Sequence, residues 1–366
     1  MAAKVFTKGS PTHRVWQAVG YGLVLLAALW VVYGAPNYMV TKFSIGVAYA
    51  LAILGLNLVT GYSGQISLGH RAFFGLGAYC TAILMTDYNW SFWATLPASA
   101  LLGLLVGYVV GVPALRIRGL YLALITLALA IVFPVLVKEF DGLTGGANGK
   151  VIASAWTAPD WLPGDVTDSD WKFITSAVVA AVLFLLTSNM IRSRVGRGLI
   201  ALRDNPTGAA VSGVYPAGFK TSAFAASSLI AGVAGSIYAL AVGTLSPDSF
   251  GLIRSIEFIA GLIVGGVATI VGPLVGGMII EFLPYYTSEF LEGPRANILL
   301  GAFLIIVIFV APGGIMYLVR QWRAKVILFL PKLPVVAPSR SAGTGEPAPP
   351  AEAVVASASS TQGGTS

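Results

Sequence analysis

The chain has 366 residues, of which 56% are apolar and 10% are charged, and its mean hydropathy is +0.82. A soluble domain has roughly a quarter of its residues charged, so the composition excludes an ordinary soluble protein. The single cysteine, Cys80, excludes an intrachain disulfide framework. We predict an all-α, polytopic membrane protein, because in lipid every backbone amide must be hydrogen-bonded within its own helix.

The membrane spans are predicted from uncharged apolar runs, since about 20 residues cross the hydrocarbon core. The long runs are 15–41, 43–70, 88–115, 119–137, 173–191, 221–247, 258–280 and 296–319. Two shorter candidates are 72–86 and about 272–290, the second interrupted by Glu281. Together they predict about ten spans, within a range of eight to ten.

The predicted spans lie within residues 15–319, and the segments before and after this membrane region differ from it in composition. Residues 1–14 precede an apolar run that is longer than the roughly 7–15 residues of a signal-peptide core, so we expect this run to be retained as the first span. Residues 320–366 begin with basic side chains, and from about Leu333 onward they are rich in Pro, Ala, Ser, Thr and Gly and contain no aromatic residue. That composition cannot bury a core and predicts a mostly disordered tail.

The basic residues predict the orientation of the chain. They concentrate in alternate connections: Lys4, Lys8 and Arg14; Arg116 and Arg118; Arg192, Arg194, Arg197 and Arg203; and Arg320, Arg323, Lys325 and Lys332. By the positive-inside rule both termini are cytoplasmic, as an even number of spans also requires. The net charge of +7 therefore reflects membrane topology and contact with lipid, and nucleic acid is not an expected partner.

A polar, glycine-rich segment interrupts the second predicted span. It reads NLVTGYSGQISLGHRAFFGLGAY over Asn57–Tyr79, and its polar candidate side chains are Asn57, Ser63, Gln65 and Ser67. Non-helical backbone at membrane depth is tolerated only within protein or along a wet cavity, so the break around Gly61–His70 could line a pathway. A short cytoplasmic loop followed by close helix packing at Gly75, Gly77 and Ala78 is the alternative.

A second glycine-rich segment, DGLTGGANGK over Asp141–Lys150, lies just outside the fifth predicted span. It departs from the phosphate-binding pattern G-x-x-x-x-G-K-[ST], because Thr144 occupies the first glycine position and Val151 follows the lysine. It also lies on the predicted outer face. We interpret it as a turn-rich loop at the mouth of a pathway, with Thr144 and Asn148 as candidate side chains.

A third segment, GLIVGGVATIVGPLVGG over Gly261–Gly277, combines two small-xxx-small pairs with a predicted helix break at Gly272-Pro273. It weakly echoes the first break, and paired interrupted segments are typical of transport sites. Glu281 follows as a carboxylate inside an apolar stretch. Such a group indicates either a functional site or a side chain that is satisfied by a hydrogen bond or a nearby interface.

No catalytic or metal-binding constellation is recognisable in the sequence. The two histidines, His13 and His70, are far apart, and no nucleophile–base motif or cluster of metal ligands occurs. We therefore expect no catalytic residue, no metal and no cofactor bound by this chain.

The basic connection 192–217 predicts an amphipathic element. One side carries Leu199, Leu202, Ala209 and Ala210, and the exposed side carries Arg197, Arg203, Asp204 and Asn205. Pro206 favours the start of a second short helix over a place inside one. Such an element could dock a soluble partner or lie on anionic lipid.

These segments together resemble one family closely. GRGLIALRDNPTGAAVSGV and KTSAFAASSLIAGVAGSIYA are similar to the coupling-loop region of LivM-type permeases, the membrane subunits of branched-chain amino-acid ABC importers. LGLNLVTGYSGQISLGHRAFFGLGAY, LTGGANG and GGVATIVGPLVGG resemble other blocks of that family in the same order. The resemblance covers about residues 43–315.

The resemblance implies roles for particular residues and partners. Arg203, Asp204, Asn205, Ala209, Ala210 and Gly213 would touch the ATPase, while Asn57, Gln65, Ser67 and the Thr144–Gly149 loop would lie near the translocation route. The implied partners are a second permease, two cytoplasmic ATPases that use the ATP, and a periplasmic binding protein, at the bacterial inner membrane. A wet break would offer hydroxyls, amides and helix ends to a zwitterion without burying net charge.

Three alternatives stay open at this stage. Related permeases carry urea or short amides. An ion-coupled secondary transporter would need intramembrane carboxylates, of which the sequence offers essentially only Glu281. A non-transporting scaffold would not need polar breaks.

Overall fold

The computed structural model describes residues 4–7, 26, 28–114, 120–152, 156–159, 166–290, 295–311 and 313–330. Residues 15–25 and 27 of the predicted first span, most of the N-terminal segment 1–14, and the predicted tail from residue 331 onward lie outside the described residues.

The described chain is built almost wholly of helices. A helical segment at 28–34 precedes the helices α1 Asn37–Leu56, α2 His70–Thr86, α3 Phe92–Ala114, α4 Leu120–Glu139, α5 Asp141–Thr144, α6 Asp168–Arg192, α7 Arg194–Asp204, α8 Pro206–Val211, α9 Pro216–Val242, α10 Leu252–Gly265, α11 Gly272–Phe290, α12 Arg295–Val310 and α13 Ile315–Val326. A π-helical turn, Asn57–Tyr62, extends α1, and 3₁₀ turns cover Gly146–Asn148 and Pro247–Phe250.

Two small strand pairs complete the fold. β1 Lys4–Thr7 pairs in parallel with β4 Ile327–Leu330, and β2 Lys150–Val151 pairs antiparallel with β3 Thr244–Leu245. These pairs are too small to alter the class, and the protein is an all-α membrane protein, as predicted.

Five helices in the described part of the chain are long and apolar enough to cross a membrane: Asn37–Tyr62, Phe92–Val112, Leu122–Glu139, Asp168–Arg192 and Pro216–Val242. Each corresponds to one predicted run. The prediction of one span over 258–280 is wrong, because the structure divides this run between α10 and α11 at residues 266–271. At about 1.5 Å per residue, the 14 residues of α10 are too short to cross a bilayer alone.

Local sequence signals set two of the helix ends. α6 begins with a capping box, in which the Thr167 hydroxyl accepts from the Asp170 amide at 3.3 Å and the Asp170 carboxylate accepts from the Thr167 amide at 2.9 Å. α9 ends at Gly243, whose φ of +73° is the left-handed conformation that glycine adopts readily.

Helices α1 and α9 form the centre of the molecule. In their most apolar windows 83% and 78% of the residues are buried, against 28% for α3 and 22% for α6. A cluster of aromatic side chains fills the space between the central helices, and its members are Tyr49, Phe74, Tyr238, Phe250 and Phe258. Protein therefore encloses α1 and α9, while the outer helices expose apolar surface on the outside of the bundle.

Small residues allow α9 to pack closely against its neighbours. Close helix packing at Gly77 was one of the two interpretations of the first glycine-rich segment. A Cβ at Gly77 would collide with the backbone of Gly232, and a Cβ at Gly235 would collide with the carbonyl oxygen of Phe74. These contacts are between backbones, so no side chain can move aside to relieve them.

We expect Gly235→Ala to lower the free energy of unfolding by about 1–3 kcal/mol, because an added methyl overpacks a backbone contact. The control is Gly301→Ala in α12, where an added Cβ meets nothing within 4 Å and helix propensity favours alanine. Denaturation of each purified variant in detergent measures the difference. Equal stability of the two variants would contradict the packing.

Candidate coupling surface and substrate pathway

The described helices have two distinguishable ends. We call α7 and α8, residues 194–211, the elbow, and the end of the molecule that carries it the elbow end. At the opposite end, which we call the β2–β3 end, Lys150 contacts Asp87 and Thr167 contacts Asn37 at 3.4 Å.

The elbow is amphipathic, as predicted. Leu199, Leu202 and Ala209 are buried, and Leu199 packs in a cluster with Leu58 and Tyr62 of the first break. The prediction is wrong for Ala210, which is exposed. Because Pro206 starts α8 as a separate helix, the helical phase of α7 does not continue to Ala210.

The turn between the two elbow helices is fixed by its own sequence. The side-chain oxygen of Asn205 caps α8 by accepting from the amide of Gly208 at 2.9 Å, and Pro206 occupies the first turn. Asp204 is exposed, and Gly213, at a φ of +85°, has open space around it.

Two exposed apolar residues, one at the end of the elbow and one just after it, were not predicted from the sequence. Val211 is 87% exposed and Tyr215 is 71% exposed. Both lie next to turn residues in a basic connection, where local structure does not require an apolar side chain. Their position was therefore the available sequence signal for a contact surface. Their exposure gives the elbow end an apolar contact surface.

Arg203 was predicted to be an exposed charge, and its contacts point partly inward. Its Nη1 donates to the carbonyl oxygen of Gly61 at 2.9 Å, and its Nε donates to Asp204 at 2.9 Å. The side chain is 34% exposed. Arg203 therefore joins the elbow to the first break.

The first break exists where the sequence predicted it. After the π-helical turn Asn57–Tyr62 the backbone is non-helical until α2 begins at His70. Asn57 is fully buried, and its Nδ2 donates to the carbonyl oxygen of Thr269 at 2.7 Å while its Oδ1 accepts from the amide of Ala268 at 2.8 Å. One side chain thus joins the first break to the break between α10 and α11.

The backbone around the contact of Asn57 with Ala268 and Thr269 is tightly packed and has an unusual conformation. Ala268 has a φ of +55°, a left-handed conformation that L-residues other than glycine rarely adopt. A Cβ at Gly61 would collide with Asn57 and with the Ala268 amide. The two segments that echo each other weakly in sequence are therefore direct neighbours in space.

The other candidates in the first break have internal contacts. Gln65 is 8% exposed, and its Nε2 donates to the Ser63 hydroxyl and, at 3.5 Å, to the carbonyl oxygen of Lys220 at the start of α9. The Ser67 hydroxyl is buried without a hydrogen-bond partner among the described residues. This segment lies at the elbow end, and a role for it in contacting substrate stays a prediction.

The glycine-rich loop lies at the β2–β3 end. The Thr144 hydroxyl donates to the carbonyl oxygens of Val137 and Phe140 at 2.6 and 2.9 Å, so it closes the end of α4. Asn148 is exposed, and Lys150 binds the Asp87 carboxylate at 2.7 Å. The structure therefore separates these two candidates from Asn57 and Gln65 by the length of the helices.

Glu281 has a cationic partner that sequence spacing could not show. The Nζ of Lys42 lies 3.0 Å from its Oε1 and 5.0 Å from the ring centre of Tyr285. The carboxylate is 10% exposed. The structure therefore shows Glu281 hydrogen-bonded to a cation, and its place in a substrate pathway stays a prediction.

A second charged cluster was missed entirely. Arg71 is 1% exposed, and its Nη1 lies 3.2 Å from the carboxylate of Glu257, which also binds Arg254 at 2.9 Å. The available signal was Arg71 itself, because one arginine separates the apolar runs 43–70 and 72–86. Glu257 is a further carboxylate on a helix of the bundle, with its side chain 22% exposed, so Glu281 is not the only one.

A family model described as "Branched-chain amino acid transport system / permease component" matches residues 38–309. The chain belongs to this family of permease components. The match contains both breaks, the elbow and the charged clusters, so the family assignment covers the whole described site.

Individual relatives agree with the assignment. The permease is 28% identical to the high-affinity branched-chain amino acid transport system permease protein LivM of Escherichia coli over 322 residues, covering 81% of this chain and 75% of that protein. It is 25% identical to the corresponding protein LivH of Salmonella typhimurium, covering 76% and 94%, and 23% identical to BraD of Pseudomonas aeruginosa, covering 78% and 96%. No solved structure matches the chain.

We expect Asn57→Leu in this permease to lower the free energy of unfolding by about 1–3 kcal/mol, because it leaves the Thr269 carbonyl and the Ala268 amide buried without a partner. The matched control is Asn189→Leu, at an exposed position on α6. Denaturation in detergent distinguishes the two variants. If the Asn57 variant is as stable as the Asn189 variant, the two breaks are not held by this side chain.

Proposed function

We propose that this permease is a membrane subunit of an ABC importer that moves leucine, isoleucine and valine into the cytoplasm. The observation that carries the proposal is the elbow, which exposes apolar and charged side chains on one side and contacts the first break on the other through Arg203. An element built in this way suits transmission of a movement from a soluble partner to a membrane segment.

The proposed partners follow from this arrangement. Two cytoplasmic ATPases would hydrolyse ATP and dock on the elbow through Val211 and the exposed members of the predicted contact set, Asp204, Asn205 and Ala210, and this chain would bind no cofactor. A second permease is the proposed membrane partner, supported by the relatives LivM and LivH, which are two differently named permease proteins of a branched-chain amino acid transport system. A periplasmic binding protein would deliver the solute at the β2–β3 end.

The proposed location is the bacterial inner membrane, with both chain termini in the cytoplasm. The elbow end carries the basic side chains Arg192, Arg194, Arg197 and Arg203, which favours the cytoplasmic side. Transport toward the elbow end is then import.

The contacts support a physical route for coupling. Displacement of the elbow would pull on the Gly61 carbonyl through Arg203, and Asn57 would carry the displacement to the break between α10 and α11. Non-helical backbone at these two places can change its torsion angles without breaking a helix. The ion-coupled alternative is less well supported, because Glu281 and Glu257 are both bound by cationic side chains.

The function is tested by uptake into cells that lack their own branched-chain amino acid transport and carry the complete system. We expect labelled leucine, isoleucine and valine to accumulate, and we expect accumulation to stop when the ATPase subunits are catalytically inactive. Uptake of urea in place of amino acids would favour the alternative solute. Uptake that persists with inactive ATPases and follows an ion gradient would contradict the ABC mechanism.

We expect Val211→Asp to reduce co-purification of the ATPase subunits at least about tenfold, because a charge is then desolvated against an apolar contact. The control is Val151→Asp, which places the same charge on a valine that is 60% exposed at the β2–β3 end. The yield of ATPase relative to permease after affinity purification is the measurement. Equal recovery with the two variants would contradict docking at the elbow.

A further inference from the structure

The charged cluster of Arg71, Glu257 and Arg254 has no part in the coupling route, and it lies between α2 and α10. Arg71 donates to the backbone carbonyl of Arg254 at 2.8 Å and to the Tyr49 hydroxyl at 3.1 Å, in addition to its contact with Glu257. These contacts tie the start of α2 to the first turn of α10.

Arg71 is held rigidly as a buried cation. Its guanidinium carbon lies 4.6 Å from the ring centre of Phe258, 5.1 Å from that of Tyr49 and 6.0 Å from that of Phe74. Aromatic faces stabilise a desolvated cation, yet burial of a charge is favourable only with a well-placed partner. Arg71 therefore fixes the position of Glu257.

Glu257 in turn positions Arg254. Arg71 binds one oxygen of the carboxylate and Arg254 binds the other, so both oxygens are engaged. The Arg254 side chain is 56% exposed, and Glu257 is its one side-chain hydrogen-bond partner within the described residues. Its planar guanidinium therefore presents further N–H donors outward from a fixed orientation.

The charge balance of this region leaves one positive charge over. Two arginines face one glutamate in the cluster, while Lys42 and Glu281 neutralise each other nearby. A single exposed guanidinium with excess positive charge matches a single carboxylate, which it can bind through two parallel hydrogen bonds.

The surroundings of Arg254 indicate what it faces. Ile253 is 78% exposed and Ile256 is 52% exposed on the same helical turn, so apolar surface lies beside the guanidinium. A charged side chain directed at acyl chains is strongly disfavoured in a membrane protein. This face of α10 therefore borders water or protein.

We propose that Arg254 binds the α-carboxylate of the transported amino acid, with Glu257 and Arg71 as its positioning residues. Ile253 and Ile256 would contact the aliphatic side chain of the same solute. The inference rests on the proposed function and deepens it, because a site of this kind selects solutes that carry a carboxylate over urea and neutral amides.

The test is equilibrium binding to the purified complex of both permeases and the ATPases, without the binding protein, so that its selectivity does not enter. The probes are L-leucine, 4-methylpentanoate, which lacks the ammonium group, L-leucinamide, which lacks the carboxylate, and urea. We expect the parent complex to bind leucine and 4-methylpentanoate at least about tenfold more tightly than leucinamide or urea, as loss of a charge-assisted hydrogen bond predicts.

We expect Arg254→Gln to reduce the affinity for leucine at least about tenfold and leave the affinity for leucinamide unchanged, with Arg254→Lys intermediate. The matched control is Lys138→Gln, which removes another exposed cation that is paired with a carboxylate, Asp248, at 2.8 Å, and it should bind as the parent does. Thermal unfolding of each complex confirms that the variants are folded.

Three outcomes overturn the inference: a parent complex that does not bind leucine, a parent that binds leucine and leucinamide equally, or Arg254→Gln with the affinity of the parent. Failure of the proposed function is separate, because it is seen as absent amino acid uptake by the complete parent system. If the parent accumulates leucine and Arg254→Gln binds it normally, the function stands and only the role of Arg254 is wrong.

Discussion

The buried amide of Asn57 is the contact on which the rest of the described structure depends. Non-helical backbone within a membrane protein must have its amides and carbonyls satisfied by protein or water. Asn57 provides one donor and one acceptor, and it uses them on the carbonyl of Thr269 and the amide of Ala268. This single side chain hydrogen-bonds the break after α1 to the break between α10 and α11, so the two breaks form one polar unit inside an otherwise apolar bundle.

The positions of the neighbouring elements follow from that unit. The elbow packs Leu199 against Leu58 and Tyr62 of the first break, and Arg203 bonds to the Gly61 carbonyl. The second break follows the short helix α10, whose first two turns present Arg254 and Glu257 beside buried Arg71. The elbow and the charged cluster are therefore joined through two segments that can change conformation without unfolding a helix.

The sequence predicted the features that have a local signal. Apolar runs located the membrane-capable helices, glycine-rich polar stretches located the breaks, and amphipathic spacing located the buried Leu199 and Leu202. It could not predict the contact of Asn57 with Ala268 or of Lys42 with Glu281, because side chains more than 200 positions apart leave no periodic pattern. Ala210 was misplaced because helical phase does not carry across Pro206, and Arg71 was overlooked because a lone arginine between two apolar runs resembles a span boundary.

If Arg203 transmits movement of the elbow to the first break, its loss should change the number of leucine molecules transported per ATP hydrolysed. Arg203→Gln removes the donor to the Gly61 carbonyl, while the buried face of the elbow and the exposed Val211 are unchanged. We expect the complete system with Arg203→Gln to retain its ATPase subunits and hydrolyse ATP, while this ratio falls about tenfold, equivalent to about 1.4 kcal/mol of lost coupling. A ratio equal to that of the parent would contradict the claim.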